Sequence, residues 1–236
     1  MRRTMFFLVA ALLLVLAGCS SKPATSLDGN VGSDGESTND GTTKDEQTGQ
    51  KDGDQTKQDD ANLTDVSLLD YFLPDGSSAH YKGEGNEFAE LDITVARPAE
   101  DYVVIHENNG GSFIQKVYKL VGDEIQVLQE EHTELSAEVP TPAQLDAMEP
   151  TRIYLKGPVA VGTTFDDWKI VETDVAVTTP YQQFEDAIVI EQEGDNFINR
   201  IYLVKDIGEV KRESIMTMEG EDDFVVTSQL ETVTQP

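Results

Sequence analysis

Cysteine is nearly missing from this chain: Cys19 is the single one in 236 residues. No internal disulfide, multi-cysteine zinc site or Cys-x-x-Cys redox pair can form, so a folded region must be held by its core alone. Histidine is scarce too. His80, His106 and His132 have no metal-ligand spacing, and no His-Glu-x-x-His, Gly-x-Ser-x-Gly or Walker loop occurs, so neither a metal nor a cofactor is expected. Positive charge is in short supply: 17 Lys and Arg stand against 45 Asp and Glu, a formal net charge of −28. That balance argues against nucleic acid and anionic headgroups as partners; it suits solubility, a cationic partner or diffuse cation binding. Long apolar runs are absent as well. A spanning helix needs about 20 apolar residues, and the Met5–Ala17 run has 13.

What is there begins with that run. Arg2 and Arg3 precede it and Leu16-Ala17-Gly18-Cys19 closes it, the order of a secretory signal peptide over residues 1–18. The four closing residues resemble the lipobox of bacterial lipoproteins. The resemblance implies a diacylglyceryl group on the Cys19 thiol, cleavage that leaves Cys19 as the mature N-terminus, and the membrane as a partner reached through that lipid. Each buried methylene contributes about 0.8 kcal/mol and one acyl chain binds only marginally, so two or three chains are what make such an anchor stable.

From Cys19 to residue 65 the chain reads as an acidic, disordered stalk. Residues 20–65 hold no aromatic residue, with Leu27, Val31 and Leu63 as the large aliphatics, 11 acidic groups and 4 basic ones. Such a segment buries too little apolar surface to offset its ordering entropy. As a flexible coil it has an end-to-end distance of roughly 35–40 Å. A calcium-loop frame starting at Asp52 fails, because Lys57 stands where glycine is needed and Leu63 where glutamate is needed.

Residues 66–236 carry 34 acidic and 11 basic residues, so most of the acidity belongs to the folded region. Internal similarity divides that region into a first β repeat over 66–137, a connector over 138–152 and a second β repeat over 153–236. Glu107-Asn-Asn-Gly-Gly-Ser-Phe-Ile-Gln-Lys-Val-Tyr118 aligns without gaps on Glu191-Gln-Glu-Gly-Asp-Asn-Phe-Ile-Asn-Arg-Ile-Tyr202, with five of twelve positions identical. Asp92–Pro98 resembles Asp174–Pro180, and Gly76-Ser77-Ser78 corresponds to Gly162-Thr163-Thr164.

The local pattern is that of strands. Leu91, Ile93 and Val95 alternate with polar residues, as do Val171, Thr173, Val175 and Val177, placing apolar groups on one face. Val103–His106 and Ala187–Ile190 read as shorter strands, Phe113–Val121 as a strand by its β-branched and aromatic content, and Asp223–Val233 as a closing strand. Gly83–Asn86, Asn108–Gly111 and Glu193–Asn196 are turn-formers. Helix is confined to Thr141-Pro-Ala-Gln144, a capping-box layout ahead of Leu145–Met148. The expected fold is mainly β: antiparallel meanders of about five strands in two related halves, forming a curved half-barrel-like sheet or a sandwich, with one short connecting helix.

The densest acidic clusters are Glu84, Glu87 and Glu90, and Glu221-Asp222-Asp223, which read as solvated turns. If the sheet is an open half-barrel, Tyr81, Phe88, Tyr118, Trp168 and Tyr202 are candidates to line an apolar trough. At Tyr81–Phe88, Asn108–Gly111, Gly162–Phe165 and Ile207–Glu213 the chain resembles a family of exported proteins and lipoproteins of Gram-positive bacteria, over roughly residues 68–215. That resemblance implies the outer face of the cell membrane as the address. It implies no activity, cofactor or catalytic residue. The expected function is a non-enzymatic surface lipoprotein whose β domain binds an envelope protein, a wall polymer or an apolar ligand. The alternative is a carboxylate-dependent envelope hydrolase, which requires two acidic groups in a cleft with one pKa raised.

Overall fold

The computed structural model describes residues 67–218, 220 and 222–236. The expected signal peptide, Cys19, the stalk and Glu221 lie outside the described residues. Twelve strands follow one another: β1 (Ser78–Glu84), β2 (Leu91–Ala96), β3 (Tyr102–Asn108), β4 (Phe113–Val121), β5 (Glu124–His132), β6 (Arg152–Lys156), β7 (Thr164–Phe165), β8 (Trp168–Thr178), β9 (Gln183–Gly194), β10 (Phe197–Val204), β11 (Gly208–Met216) and β12 (Phe224–Thr234).

All twelve belong to one sheet in the order β6-β5-β4-β3-β2-β1-β12-β11-β10-β9-β8-β7, and the pairings are antiparallel. The first six strands and the last six are therefore two meanders, sewn together where β1 pairs with β12. Each has one strand more than the alternation in the sequence indicates; β6 and the two-residue β7 are too short to carry a pattern. Right-handed twist curls the sheet until its edge strands meet. There the Ile153 amide on β6 donates to Asp166 Oδ2 at 2.6 Å, just beyond β7. The result is a nearly closed barrel and not a sandwich of two sheets.

A barrel of twelve strands is wider than inward side chains alone can fill, since eight strands already reach that limit. Here the preceding chain completes the core. A 3-10 turn, Leu68–Tyr71, and the residues after it enter one end of the cylinder, burying Leu68, Leu69, Tyr71, Phe72 and Leu73. Their backbone carbonyls are met by one side chain. Arg97 Nη2 donates to Leu69 O at 3.0 Å and Phe72 O at 2.8 Å, and Arg97 Nε donates to Leu73 O at 3.2 Å. Phe72 sits against Tyr118 and Tyr154 with ring centroids 5.0 and 5.6 Å away.

On β2 the strand faces follow the period of two. Leu91, Ile93 and Val95 are buried and face the interior, while Asp92 and Thr94 are exposed. On the outside of β3–β5, a second apolar cluster of Tyr102, Val104, Val117 and Leu128 is capped by Leu145 of the single-turn helix α1 (Pro142–Leu145). That helix begins as its sequence indicates, with the Thr141 amide donating to Gln144 Oε1 at 2.9 Å. Gly83 belongs to β1 and not to a turn. It lacks a side chain because a Cβ there would strike the backbone of Ala89 and Glu90.

Candidate functional site

The barrel has two rims. The entry rim, where Ser67 begins the described chain, carries the loops 122–123, 157–163 and 205–207. The far rim carries the loops 109–112, 166–167 and 195–196. An open groove of about 860 Å³ lies at the entry rim between Leu68, Tyr71, Pro158, Ile188 and three aspartates, Asp123, Asp174 and Asp186.

Between the rims, beneath the apolar filling, runs an alternating chain of charges. Glu107 on β3 accepts from Lys116 Nζ at 2.8 Å and from Arg212 Nη1 and Nη2 at 3.3 and 3.0 Å. Arg212 also donates through Nε to Glu209 Oε1 at 2.5 Å. Lys116 lies 3.6 Å from Glu130, which accepts from Arg152 at 2.6 Å. Three carboxylates and three cations from β3, β4, β5, β6 and β11 thus neutralise one another. β3 and β11 are separated in the sheet by β2, β1 and β12, so the Glu107–Arg212 pair spans the lumen. Although 31% of the Arg212 side chain is exposed, its guanidinium is bracketed by two carboxylates. Burial lowers its pKa, and Glu209 and then Glu107 more than reverse that, holding it well above the usual range. Burial likewise raises the Glu107 carboxyl, but Arg212 and then Lys116 outweigh it and bring the pKa to about 2.

Above this network is a cavity of about 40 Å³, lined by Phe72, Tyr81, Tyr118 and Tyr154 and by four of the charged groups, Glu107, Lys116, Glu209 and Arg212. It has room for a few waters and no more. Tyr81 donates to Glu209 O at 2.8 Å. Burial pushes the phenols of Tyr81, Tyr118 and Tyr154 up, so they remain neutral donors.

Of the aromatic residues expected to share a trough, the structure brings Tyr81 and Tyr118 together at this cavity, both buried. The other three lie elsewhere. Phe88 is 52% exposed beyond the far end of β1 and packs on Gly111. Tyr202 is on the outer face of β10, its hydroxyl donating to Glu213 at 3.0 Å and its pKa pushed up to about 12 by burial and then by Glu213. Trp168 stands at the far rim beside the seam. Among the described residues the barrel interior holds the segment 68–73 and a cavity of about 40 Å³, and these five aromatic residues do not line one continuous surface.

The two aligned twelve-residue segments are both hairpins with an ion pair, Glu107–Lys116 in one and Glu191–Arg200 at 2.7 Å in the other. They differ in face. Ile201 pairs with inward Arg212, which turns its neighbours Arg200 and Tyr202 outward, whereas Lys116 and Tyr118 point in. The interior network itself was not legible in the sequence. Glu107 and Lys116 were visible only as members of the aligned segment, and Glu209 and Arg212 only as members of the Ile207–Glu213 motif, with no role attached.

Strand pairing also places a polar row at the far rim. Trp168 pairs with Gln192, Gln192 with Asn199 and Asn199 with Ser214. Asn199 Nδ2 donates to Gln192 Oε1 at 3.1 Å, and Ser214 Oγ donates to Asn199 Oδ1 at 2.8 Å. The next row inward is apolar until it reaches Arg212: Ile170, Ile190, Ile201, Arg212. Trp168 and Gln192, with Thr151, Arg152, Asp166 and Asp167, bound an open cleft of about 490 Å³. Among the described residues no group of three His, Asp or Glu side chains is placed to hold a metal ion, and no helix is long and apolar enough to cross a membrane.

The sequence matches no family model and none of the curated proteins. Among solved structures the chain is similar to a protein from Bacteroides fragilis described as exported, with a YmcC-like fold, at 15% identity over 70% of this chain and 98% of that one, with a TM-score of 0.45. It is similar to the same degree to a protein from Parabacteroides distasonis described as a lipoprotein, at 14% identity, 70% and 98% coverage and a TM-score of 0.45. Likeness that distant transfers neither fold, address nor activity to this chain.

Proposed function

We propose that this chain is an exported lipoprotein of the outer face of the cell membrane, in a Gram-positive cell, held by lipid on Cys19. Its barrel acts as a non-catalytic domain that binds an envelope component. The observation that carries the reading is the position of the lone cysteine, directly after Leu16-Ala17-Gly18 and the apolar run that follows two arginines. The filled barrel and its 40 Å³ cavity speak against an enclosed apolar ligand and in favour of a partner met at a rim or on the outer surface. The hydrolase alternative needs a carboxyl held protonated near neutral pH. Glu107, the most buried carboxylate of the interior cluster, is instead shifted to about 2.

Cells labelled with palmitate test the anchor, with intact-mass analysis of the N-terminal peptide and fractionation of wild type and Cys19→Ala. The expected result is label and a diacylglyceryl mass on Cys19, membrane-bound wild type, and loss of label in the variant. An unmodified Cys19 in processed protein ends the reading. Retention of the Cys19→Ala protein, which lacks the lipid, by washed envelope preparations measures the binding half separately.

A further inference from the structure

We infer that the cleft at the far rim is a saccharide-binding site for a neutral polysaccharide chain, with Trp168 as its platform. This rests on the reading of an envelope-facing binding domain and names the ligand class that domain takes.

The chemistry of the lining selects the ligand. An indole offers a flat apolar face with a polar N–H at its edge, which suits a sugar ring, apolar across its C–H faces and polar around its rim. Around Trp168 stand donors and acceptors in mixture. Arg152 spends one nitrogen on Glu130 at 2.6 Å and has further N–H groups. Gln192 accepts from Asn199 through its carbonyl oxygen, which turns its NH2 group into a positioned donor. Asp166 gives one carboxylate oxygen to the Ile153 amide, and its second oxygen remains an acceptor beside Asp167. Hydroxyl groups both donate and accept, so they satisfy such a lining where a simple cation or anion satisfies half of it.

Size and charge agree. About 490 Å³ lies within the range of ligand pockets, and the cleft is open to solvent at the rim. The net charge of −23 over residues 66–236, from 34 acidic and 11 basic groups, opposes polyanionic polymers and is compatible with neutral ones. The position is fixed by rigid structure: Trp168 and Gln192 face each other across the β8–β9 ladder, and Ile170 behind Trp168 is fully buried.

The chain has one tryptophan, so its emission reports on this site alone. Detergent-solubilised full-length protein is titrated with a β-1,4-linked N-acetylglucosamine tetramer and a glucose tetramer, with dextran sulfate as the anionic comparator. Calorimetry follows the variants that remove the fluorophore. The expected result is a saturable change in Trp168 emission with at least one neutral tetramer. Binding should fall at least tenfold in Trp168→Ala and in the pair Asp166→Asn with Asp167→Asn, the first of which keeps an acceptor for the Ile153 amide and so protects the fold. Asp123→Asn with Asp186→Asn at the opposite rim should change nothing. A flat titration with both tetramers, unchanged binding in the Asp166 and Asp167 pair, or a stronger response to dextran sulfate overturns the assignment. Lipid labelling and envelope retention are read independently, so a flat titration beside intact retention removes the saccharide and leaves the anchored binding domain standing.

Discussion

At the scale of single residues, Glu107 is one carboxylate through which the barrel's stability depends on pH. Burial opposes its ionisation, but Arg212 and then Lys116 bring its pKa from the ordinary 4.5 down to about 2 in the folded protein. The stability it supplies is therefore complete above about pH 4.5 and is lost as pH falls through the interval down to 2. Glu107→Gln is expected to cost about 3 kcal/mol at pH 7, the low end for a broken buried pair, because Arg212 keeps Glu209. Urea melts at pH 7, 4 and 2.5 should show the gap between wild type and variant narrowing with acid. A constant gap would mean that the pair adds nothing through its charge. The sequence marks this residue only as the head of the aligned segment, since its partner Arg212 is 105 positions away and meets it across the lumen. Side-chain periodicity reports which face a residue occupies, and it is silent about what waits on the other side of a cylinder.

At the scale of elements, the strands were the legible part. Phe113–Val121 is read from composition with both ends where the structure has them, and the closing strand is displaced by one residue. The turn of helix at Pro142–Leu145 follows from its capping residues. The inserted segment 67–73 was not legible: Leu68-Leu69-Asp70-Tyr71-Phe72-Leu73 has neither period, and the reason it is buried is the width of a barrel whose strand number only the closed sheet reveals. Arg97 is what holds it. Replacing Arg97 with Ala leaves three carbonyls without their charged donor, each such bond being worth about 1.5–3 kcal/mol. We expect a marked loss of thermal stability and faster amide exchange in residues 68–73, read by mass spectrometry. Arg97→Lys should recover little, because a single ammonium cannot reproduce the fork that spans Leu69, Phe72 and Leu73.

At the scale of the whole molecule, closure is uneven. Ten of the eleven paired junctions between neighbouring strands hold at least four paired positions and the short β7–β8 contact holds two, while the seam between β6 and β7 is bridged by the Ile153 amide and a carboxylate. Local opening begins where the fewest backbone bonds must break. Exchange should therefore be fastest at β6 and β7 and slowest at the β1–β12 junction, and Asp166→Ala should accelerate β6 without altering β12. Uniform exchange around the sheet would contradict this. Sequence similarity between the two meanders led to the correct sheet class but not to the seam, because edge strands of five and two residues carry too little pattern to be seen.

The junction that closes the circuit has a directional result. Ser78 lies opposite Thr234, and Gly76 is in contact range of Pro236, so both ends of the described chain sit at the same rim. Tension applied through Ser67 draws on that rim and leaves the Trp168 rim as the leading face. If the chain is held through the residues ahead of Ser67, as proposed, the Trp168 cleft is at the end of the barrel opposite the point of attachment.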